Sequence, residues 1–492
     1  MKIAIIGAGL SGSNVLKTIL EHPNVSKEDS IDIFEPNALL GPGMPYAPDD
    51  RNVMLNSQPK NLSVDKDNKE DFIEWLEANY EAPTNFEGLV ARPRYGQYLM
   101  ERFKESFSHP QVTHYQEKIV DMNIIVKNKT AKEETNYVLT TESGEAEIAY
   151  DAVFFAIGHP PYKDDYDLKD TINYIHNPYP LKEGLSQLDE NQKIGIIGSG
   201  AASIDYFRYV TQNYELTSPL TFYVHDNAFL LPLIPYAGNK FNFTISKKWI
   251  VEMKEKNNGF IPFEIILQTV IKDLKNSGAH LSEIYQKYQK MDLLAVRAAL
   301  NANDQELALI QAYVSELGPL LPHLFNALNG VEREQYLQQY HEKLLFFRNL
   351  IPHQTALDLL TYFQEGKVRV VYGIEQIIPQ TNQQFKIIAN DTEYTDILIN
   401  GTGFQNNLEK ASQQDELIYN LFKKKLILPH RQNDFILVDW PQCRMMNQRF
   451  GVLDNAFFLG HYIKGSQHEN NNAEMIIEQA RFTSQWFMDQ VK

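Results

Sequence analysis

The amino-acid sequence predicts an α/β protein with two Rossmann-like domains and an inserted cap of helices. Two apolar strands predict the two domains, because KIAIIG at 2–7 and KIGIIG at 193–198 each lead directly into a glycine-rich loop. Continuous apolar runs of this kind are typical of buried parallel strands. Apolar residues at three-and-four spacing over about 247–346 predict the helical cap. The repeated strand and loop unit organises the whole chain.

Composition and charge exclude several classes of protein. The chain has 492 residues, enough for two or three domains, and 46 Lys and Arg against 63 Asp and Glu leave a net charge of −17. Nucleic acid and anionic membranes are therefore not expected partners, since both require a basic surface. No apolar stretch approaches the roughly 18 residues of a membrane helix. The apolar start at 2–10 is too short for a signal peptide, so we expect a cytoplasmic protein.

The chain contains a single cysteine, Cys443. One thiol cannot form an internal disulfide or the Cys-x-x-Cys pair of a disulfide reductase. We therefore expect Cys443 to be an inert residue and any redox chemistry to proceed without a cysteine pair of this chain.

The first loop has the order G-x-G-x-x-G, formed by Gly7, Gly9 and Gly12. Gly7 permits a tight turn out of the strand, Gly9 lets the backbone approach a pyrophosphate, and Gly12 allows the helix to pack closely on the sheet. The helix is expected to begin near Leu10 or Ser11, so that its free N–H groups point at the phosphates. The loop therefore predicts a dinucleotide site.

An acidic residue supports this prediction. The second strand, IDIFEP, ends in Glu35, about 20 residues beyond the glycines, where a carboxylate accepts hydrogen bonds from ribose hydroxyls. Strand, glycine loop, helix, strand and acid thus occur in the expected order.

The second loop repeats the pattern with one change. Gly198 and Gly200 match the first two glycines, and Ser203 occupies the third position. Asp226 follows Gly198 at the separation at which Glu35 follows Gly7, which makes it the expected ribose acid. Two such units usually bind FAD and a nicotinamide, and an acid without a neighbouring Arg or Lys favours NADH over NADPH. The alternative is a vestigial second unit that only packs against the first.

Three further strands end in glycine. Segment 112–158 alternates polar and apolar residues and predicts a small β-meander whose last strand ends in AIG at Gly158. The strand of TDILINGTGF ends at Gly403, and AFFLG ends at Gly460. Such glycines let the main chain pass close to a cofactor, so all three are expected to bind one. We expect the chain to cross between the two domains after Gly158 and at Gly403.

Taken together, the motifs of the chain resemble those of a known family. It is similar to the FAD-NAD(P)-binding proteins related to flavin-containing and N-hydroxylating monooxygenases. The motifs that carry the resemblance run over most of the length and are GAGLSG, GPGMPYAP at 41–48, MLNSQPKNLS at 54–63, RPRYGQYL at 92–99, AIGHPP, IIGSGAAS, FFRNLIP at 346–352 and INGTGF. The resemblance implies a glutathione-reductase-like FAD domain, with FAD on the first unit and a reduced nicotinamide on the second.

The resemblance also implies site residues and domain limits. Tyr46, Asn56 and Ser57 are expected to line the flavin, because in such families the segment after the ribose acid folds over it. The family usually has a Ser-Arg pair after the second ribose strand and then Leu-Pro. Here the sequence reads His225-Asp226 and then Leu231-Pro232.

We expect a discontinuous FAD-binding domain and a second domain between its parts. The FAD-binding domain would comprise 1–185 and 371–492. The NAD(P)-binding-like domain would comprise 186–370, with the helical insertion at about 247–346. The closing helix is expected to begin near Asn472 and to point at the flavin.

Other polar residues are candidates for catalysis, each with a simpler alternative. His159 could hydrogen-bond flavin or an oxygen species, or be a loop residue. Arg94 could neutralise a phosphate or a substrate carboxylate, or be a surface arginine at a helix start, and Arg348 has the same standing. His461 and His468 are too poorly spaced for a metal pair, and we expect no metal.

The expected function is that of an FAD-dependent oxidoreductase. The first hypothesis is an NAD(P)H-dependent monooxygenase of a small amine or heteroatom-containing metabolite. The second is a flavin reductase, oxidase or dehydrogenase without a stable peroxyflavin. The third is a non-catalytic FAD-binding regulatory protein. The sequence leaves the substrate and the oligomeric state open.

Overall fold

The protein is described here by a computed structural model that covers residues 1–55, 57–80, 90–129, 132–144, 148–225, 229–238, 240–432, 434–468 and 472–491. The chain divides into two compact units. Unit 1 comprises Met1–Pro161 and Phe404–Lys492, and unit 2 comprises Tyr162–Gly403. No helix in the described part of the chain is long and apolar enough to span a membrane.

The described strands, in chain order, are β1 (Lys2–Ile6), β2 (Ser30–Phe34), β3 (Val112–Tyr115), β4 (Ile119–Lys129), β5 (Lys132–Thr141), β6 (Ile148–Tyr150), β7 (Ala152–Phe155), β8 (Tyr174–Ile175), β9 (Ile194–Ile197), β10 (Leu220–Val224), β11 (Leu231–Pro232), β12 (Leu350–Ile351), β13 (Val368–Tyr372), β14 (Gln376–Pro379), β15 (Phe385–Ile388), β16 (Thr392–Thr395), β17 (Ile397–Asn400), β18 (Leu428–Pro429), β19 (Ile436–Asp439), β20 (Arg444–Asn447) and β21 (Gly451–Phe458).

The described α-helices are α1 (Leu10–Leu20), α2 (Asp71–Asn79), α3 (Arg92–Phe107), α4 (Leu181–Gly184), α5 (Ala201–Asn213), α6 (Lys247–Lys256), α7 (Phe263–Asn276), α8 (Leu281–Tyr288), α9 (Leu293–Ala302), α10 (Gln305–Leu317), α11 (Leu321–Ala327), α12 (Gly330–Gln339), α13 (His341–Arg348), α14 (His353–Gln364), α15 (Leu408–Ser412), α16 (Glu416–Lys423) and α17 (Ala473–Gln490).

Unit 1 is built on a large sheet in the order β18-β19-β20-β21-β7-β1-β2-β3. The strands from β21 to β3 are parallel to one another, and β18 to β20 extend the sheet in antiparallel fashion. Every residue of β7 is buried, as the continuous apolar run predicts for a strand covered on both faces. The carboxyl ends of β21, β7, β1 and β2 therefore share one edge, where α/β sheets bind ligands.

The predicted meander over 112–158 is only partly correct. The strands β4, β5 and β6 form the antiparallel meander, but β3 pairs with β2 and β7 pairs with β1 in the large sheet. Asp151 separates β6 from β7, and its carboxylate accepts a hydrogen bond from the Lys2 N–H at 2.7 Å. This bond holds the start of β7 beside β1.

Unit 2 is built on a parallel sheet in the order β13-β10-β9-β17-β8. A small antiparallel sheet of β14, β15 and β16 precedes β17. The strands β13 to β17, which follow the helical cap, thus belong to unit 2.

The helical insertion is confirmed, with α6 beginning at Lys247 and α13 ending at Arg348. The chain leaves the unit 2 sheet through β11 and returns through β12, and these two short strands pair in parallel. The helices enclose a core of their own around fully buried residues such as Leu307, Ile310 and Tyr313. The insertion is therefore a subdomain of unit 2 whose entry and exit lie side by side.

The two units divide at other places than the expected domain limits of 185/186 and 370/371. The divisions fall at Pro161/Tyr162 and Gly403/Phe404, which confirms the crossing points predicted after AIG and in INGTGF. The reason is strand pairing, because β8, β13 and β17 join β9 and β10 in the unit 2 sheet.

Candidate dinucleotide-binding sites

The first glycine loop is held by close backbone packing. Gly7 has φ +96°, and its N–H donates to the Phe34 carbonyl at 2.8 Å. A Cβ on Gly7 would lie 2.3 Å from the Ala156 carbonyl oxygen, and a Cβ on Gly12 would lie 2.0 Å from the Gly7 carbonyl oxygen. Only glycine fits at both positions.

Gly9 is the N-cap of α1, which begins at Leu10 as predicted. A glycine N-cap has no side chain to cap the helix, so the N–H groups of its first turn remain available to an anion. A Cβ on Gly9 would lie 3.3 Å from the Cα of Gly43, which itself has φ +59°. The loop of residues 41–43 thus packs against Gly9, a contact that the sequence analysis missed.

Glu35 lies beside this loop at the end of β2. Its carboxylate accepts hydrogen bonds from the Ala8 N–H at 3.1 Å, from the Asn37 N–H at 3.0 Å and from the Asn37 Nδ2 at 2.7 Å. The Nε2 of His114 donates to the Glu35 carbonyl at 2.9 Å. These bonds hold the carboxylate beside the glycine loop that precedes α1, at the position expected for a ribose acid.

The same sheet edge continues over β7 and β21. Gly158 has φ +80°, and a Cβ on it would meet no atom of the described residues within 4 Å. Gly460 has φ +87°, and its Cβ would lie 3.7 Å from the Gly158 carbonyl oxygen. Neighbouring strands are about 4.8 Å apart, so β2 to β21 spans about 14 Å. A dinucleotide with its ribose at β2 and its phosphates at β1 would extend its other half over β7 and β21.

Three aromatic rings lie near the carboxyl ends of β7 and β21. The rings of His159 and Phe404 stack at 4.6 Å, and the ring of His461 lies 5.2 Å from His159 and 5.4 Å from Phe404. The Nε2 of His461 donates to Asn406 Oδ1 at 3.3 Å. We call His159, Phe404 and His461 the aromatic cluster.

Both histidines of the aromatic cluster are poor bases. Burial lowers the pKa of His159 to about 4. Burial also holds the pKa of His461 well below its usual range, with smaller contributions from His159 and Lys464. Sequence reasoning considered His159 for a role at the flavin, and His461 only as a metal ligand together with His468. It missed that His461 lies beside His159, although the same Gly-His pair follows both buried strands, at 158–159 and 460–461.

Tyr46 lies in a short 3₁₀ turn, Met44–Tyr46, that packs on α3. A Cβ on Gly96 would lie 1.9 Å from the Tyr46 carbonyl oxygen, and the Tyr46 ring meets the Tyr95 ring edge-on at 4.9 Å. Burial raises the pKa of Tyr46 to about 12, against an opposing effect of Arg92. The phenol therefore stays protonated at neutral pH.

Two other expected flavin-lining residues are adjacent in the chain. Ser57 is half-buried, and Asn56 lies outside the described residues. The closing helix α17 begins at Ala473 with Asn472 as its N-cap, close to the expected start.

The remaining candidates lie elsewhere. Arg94 is exposed in the first turn of α3, and its guanidinium stacks over the Tyr80 ring at 4.2 Å. Arg348 ends α13 in unit 2, and His468 is buried in unit 1. No group of three His, Cys, Asp or Glu residues in the described part of the chain could hold a metal ion. Arg94 thus has the environment of a surface arginine.

The second glycine loop repeats the backbone of the first. Gly198 has φ +95°, and its N–H donates to the Tyr223 carbonyl at 2.8 Å. Gly200 is the N-cap of α5 with φ −74° and ψ −172°, close to the −76° and −166° of Gly9. A Cβ on Gly200 would meet no described atom within 4 Å. The first turn of α5 is therefore open to an anion.

The missing third glycine is compensated by a glycine on a neighbouring strand end. Ser203 is fully buried, and a Cβ on Gly401 would lie 2.2 Å from the Ser203 Oγ. At the corresponding positions, the first unit has Gly12 on the helix and Ala156 after the strand. In the second unit the small side chain is on the helix and the glycine is at the strand end, the reverse of the first unit. The helix therefore still packs closely on the sheet.

The expected ribose acid, Asp226, lies outside the described residues, but its surroundings are described. The His225 carbonyl accepts from the Gly373 N–H at 2.8 Å, which places the end of β13 beside it. The Phe229 N–H donates to the Met291 carbonyl at 2.8 Å. The turn between α8 and α9 of the insertion therefore lies beside the strand end where the adenosine of a second dinucleotide is expected.

Comparison with known proteins agrees with this architecture. Residues 4–160 match a family model described as FAD-NAD(P)-binding. No curated protein sequence matches the chain. The family match supports FAD and NAD(P) as the ligand class, without distinguishing NADH from NADPH.

Solved structures of three enzymes are similar over the whole chain. L-lysine 6-monooxygenase from Pseudomonas syringae has a TM-score of 0.61 and 12% identity, over 100% of this chain and 99% of that chain. Reduced ornithine hydroxylase from Pseudomonas aeruginosa has a TM-score of 0.59 and 13% identity, over 100% and 99%. Ornithine N-hydroxylase from Kutzneria sp. 744 has a TM-score of 0.59 and 10% identity, over 100% and 99%.

At such low identity the likeness shows a shared fold. The resemblance inferred from the motifs is thus confirmed in fold: residues 4–160 match the FAD-NAD(P)-binding family model, and the chain shares the α/β fold of these three enzymes over its whole length.

Proposed function

We propose that this protein is an FAD-dependent monooxygenase that uses NAD(P)H to oxidise a small amine or another heteroatom-containing metabolite. One observation carries the proposal. Two glycine loops with the same backbone occur in one chain whose fold matches amine hydroxylases over its full length.

FAD fits unit 1 because the glycine loop packs tightly on its own backbone and leaves the first turn of α1 without a side-chain cap, open to a pyrophosphate. The N-terminus of α1, with Gly9, Leu10 and Ser11, would hold the pyrophosphate, and Glu35 would bind the ribose. Gly158 and Gly460 leave the main chain bare where the flavin half would lie. When bound, FAD accepts hydride from a nicotinamide and supplies the oxygen chemistry.

The second loop would bind the nicotinamide dinucleotide. Gly198 and Gly200 would hold its phosphates at the N-terminus of α5, and Ser203 packs that helix onto Gly401. In the sequence, Asp226 follows β10 without an adjacent Arg or Lys, which favours a 2′-hydroxyl and hence NADH over NADPH.

The protein's own groups would exclude water and hold protons at the reacting end. The aromatic cluster presents uncharged rings, because both imidazoles are neutral at pH 7. The Tyr46 phenol stays protonated and can donate a hydrogen bond. Cys443 is fully buried, and burial raises the pKa of its thiol, so it offers no thiolate.

Anaerobic titration of the purified protein with NADH and then NADPH, followed by air, tests the proposal. We expect bleaching of the flavin by NADH, then oxygen uptake that yields a hydroxylated product when a suitable amine is present. L-ornithine, L-lysine and cadaverine are the first candidates, since they are the substrates named for proteins of this fold.

Three outcomes separate the alternatives. Reduction by NADH with hydrogen peroxide as the only oxygen product, whatever the amine, would indicate an oxidase or reductase. A yellow protein that neither nucleotide reduces would indicate another electron donor or a regulatory role. A colourless protein that does not take up FAD would contradict the proposal altogether.

A further inference from the structure

The aromatic cluster contains a histidine placed to accept a proton. His159 follows β7 and stacks flat on Phe404, with their ring planes inclined by 22° and their centroids 4.6 Å apart. The ring of His461, which follows β21, lies 5.2 Å away and is tilted by 45°. The His159 nitrogens have no hydrogen bond to any described residue. One of them therefore keeps a lone pair available in the neutral ring.

The position of the cluster relates it to the flavin, and this step rests on the proposed function. With the ribose at Glu35 and the phosphates at α1, the flavin half of FAD would lie over the ends of β7 and β21. The two histidines follow Gly158 and Gly460 directly in the chain. On the proposed function, the imidazoles would thus lie next to the part of the sheet edge where the charge of the flavin changes on reduction.

We propose that His159 takes up a proton from solvent when the bound flavin is reduced, and that His461 is a positioning residue that holds its ring. Hydride transfer from NAD(P)H would yield NAD(P)⁺ and leave the bound flavin with one additional negative charge. A solvent proton would then bind His159, which would become an imidazolium. The new negative charge on the flavin and the new positive charge on His159 stabilise each other.

The charged groups around the cluster favour His159 over His461 as the acceptor. Lys464, in the turn after His461, acts on His461 and disfavours a second positive charge there. On His159 the resolved influence is burial alone, with no fixed charge of either sign. Phe404 and Asn406, from the segment that re-enters unit 1, contribute no charge. The environment thus keeps His159 neutral until a negative charge arises beside it.

The midpoint potential of the bound flavin, measured against pH from about 6 to 7.5, counts the protons taken up with two electrons. We expect two protons in the wild-type protein, one on the flavin and one on His159. The variant His159→Phe keeps an aromatic ring on Phe404 and should take up one. The spectrum of the reduced flavin should be that of the anion in both proteins.

Matched variants separate the two roles. His109→Phe, a histidine after α3 outside the cluster, should still take up two protons. His461→Phe should also take up two, with the pH dependence displaced, because the ring that packs beside His159 is changed. If His159→Phe folds poorly, His159→Gln is measured in its place.

The outcomes are decisive and distinct from those of the proposed function. Uptake of one proton in the wild-type protein, or of two in His159→Phe with the anionic spectrum, would overturn the assignment of His159. Electrochemical reduction requires no nicotinamide, so failure of NADH and NADPH to bleach the flavin would count only against the proposed function.

Discussion

The first and second glycine loops begin in the same way and differ in what stands over the helix that follows. Gly7 has φ +96° and Gly198 has φ +95°, and both N–H groups donate to the neighbouring strand at 2.8 Å. At the helix N-cap the resemblance ends. A Cβ on Gly9 would lie 3.3 Å from the Cα of Gly43, whereas a Cβ on Gly200 would meet no described atom within 4 Å.

The first glycine loop is therefore covered on one side by another segment of its own unit, whereas the second glycine loop is open. Residues 41–43 would cover one side of a dinucleotide on the first loop and slow its escape. The second loop carries no such cover among the described residues. This contrast fits a resident FAD on the first loop and a nicotinamide that must bind and leave in each cycle on the second.

The largest effect is expected at the closest contact of the first loop. In Gly12→Val the new side chain would collide with the Gly7 carbonyl, since even a Cβ would lie 2.0 Å from it. We expect destabilisation of unit 1 by about 3 kcal/mol or more and loss of FAD. Urea unfolding followed by tryptophan fluorescence measures the change. A Gly12→Val protein that is yellow and of unchanged stability would show that the described packing is wrong.

A valine in the second glycine loop should impair nucleotide binding without lowering stability. Gly200 has φ −74° and open space around its Cβ position, so Gly200→Val should leave stability and FAD content unchanged. It should obstruct the phosphates, and we expect flavin reduction by NADH to slow by about 100-fold, or about 2.7 kcal/mol. Stopped-flow reduction under anaerobic conditions measures the rate. Reduction at the wild-type rate would mean that the nucleotide binds elsewhere.

The arrangement of Gly12 and Ala156 in the first unit can be recreated in the second unit by two substitutions, at Ser203 and Gly401. Gly401→Ala should cost about 1–3 kcal/mol, because the new Cβ would lie 2.2 Å from the Ser203 Oγ. Ser203→Gly in the same chain recreates the arrangement of Gly12 and Ala156 and should recover part of that loss. A double-mutant cycle of unfolding free energies measures the coupling. Additive effects of the two substitutions would refute the compensation.

The free energy of unfolding of unit 1 should decrease at low pH because of the buried His159 in the aromatic cluster. The pKa of His159 is about 4 in the folded protein, against an ordinary value of about 6.5. The unfolded chain therefore binds more protons between about pH 6.5 and 4, so stability is lost as the pH falls through this window. His159→Phe should show a weaker loss in unfolding experiments at pH 7 and 5. An equal loss in both proteins would contradict the burial of a neutral His159.

The smallest effect is expected at the ribose acid of the second unit. Asp226→Ala should raise the KM for NADH by roughly tenfold, the equivalent of one or two hydrogen bonds, without loss of FAD. The KM for NADPH should change less, because its 2′-phosphate makes no use of a carboxylate. Steady-state kinetics with both nucleotides measure the effect. Unchanged kinetics with NADH would remove Asp226 from the site.

Local patterns were sufficient for most of the architecture. The apolar runs of β1 and β9, the glycine spacing after them and the three-and-four periodicity of 247–346 depend on neighbours a few residues apart. The sequence therefore predicts those elements, the helix start at Leu10 and the two crossing points. The limits at 185/186 and 370/371 differ from the division of the chain into units, because strand pairing across long separations decides which sheet β8 and β13 join.

What the sequence by itself determined is the pair of Rossmann units, the inserted helices and the residues of both glycine loops. Tertiary structure alone decided that Gly43 covers Gly9, that Gly401 makes room for Ser203, and that His159 meets Phe404 and His461. Each of these contacts joins residues that are far apart in the chain. Periodicity carries no information about such pairs, since they depend on the order of strands in the sheet.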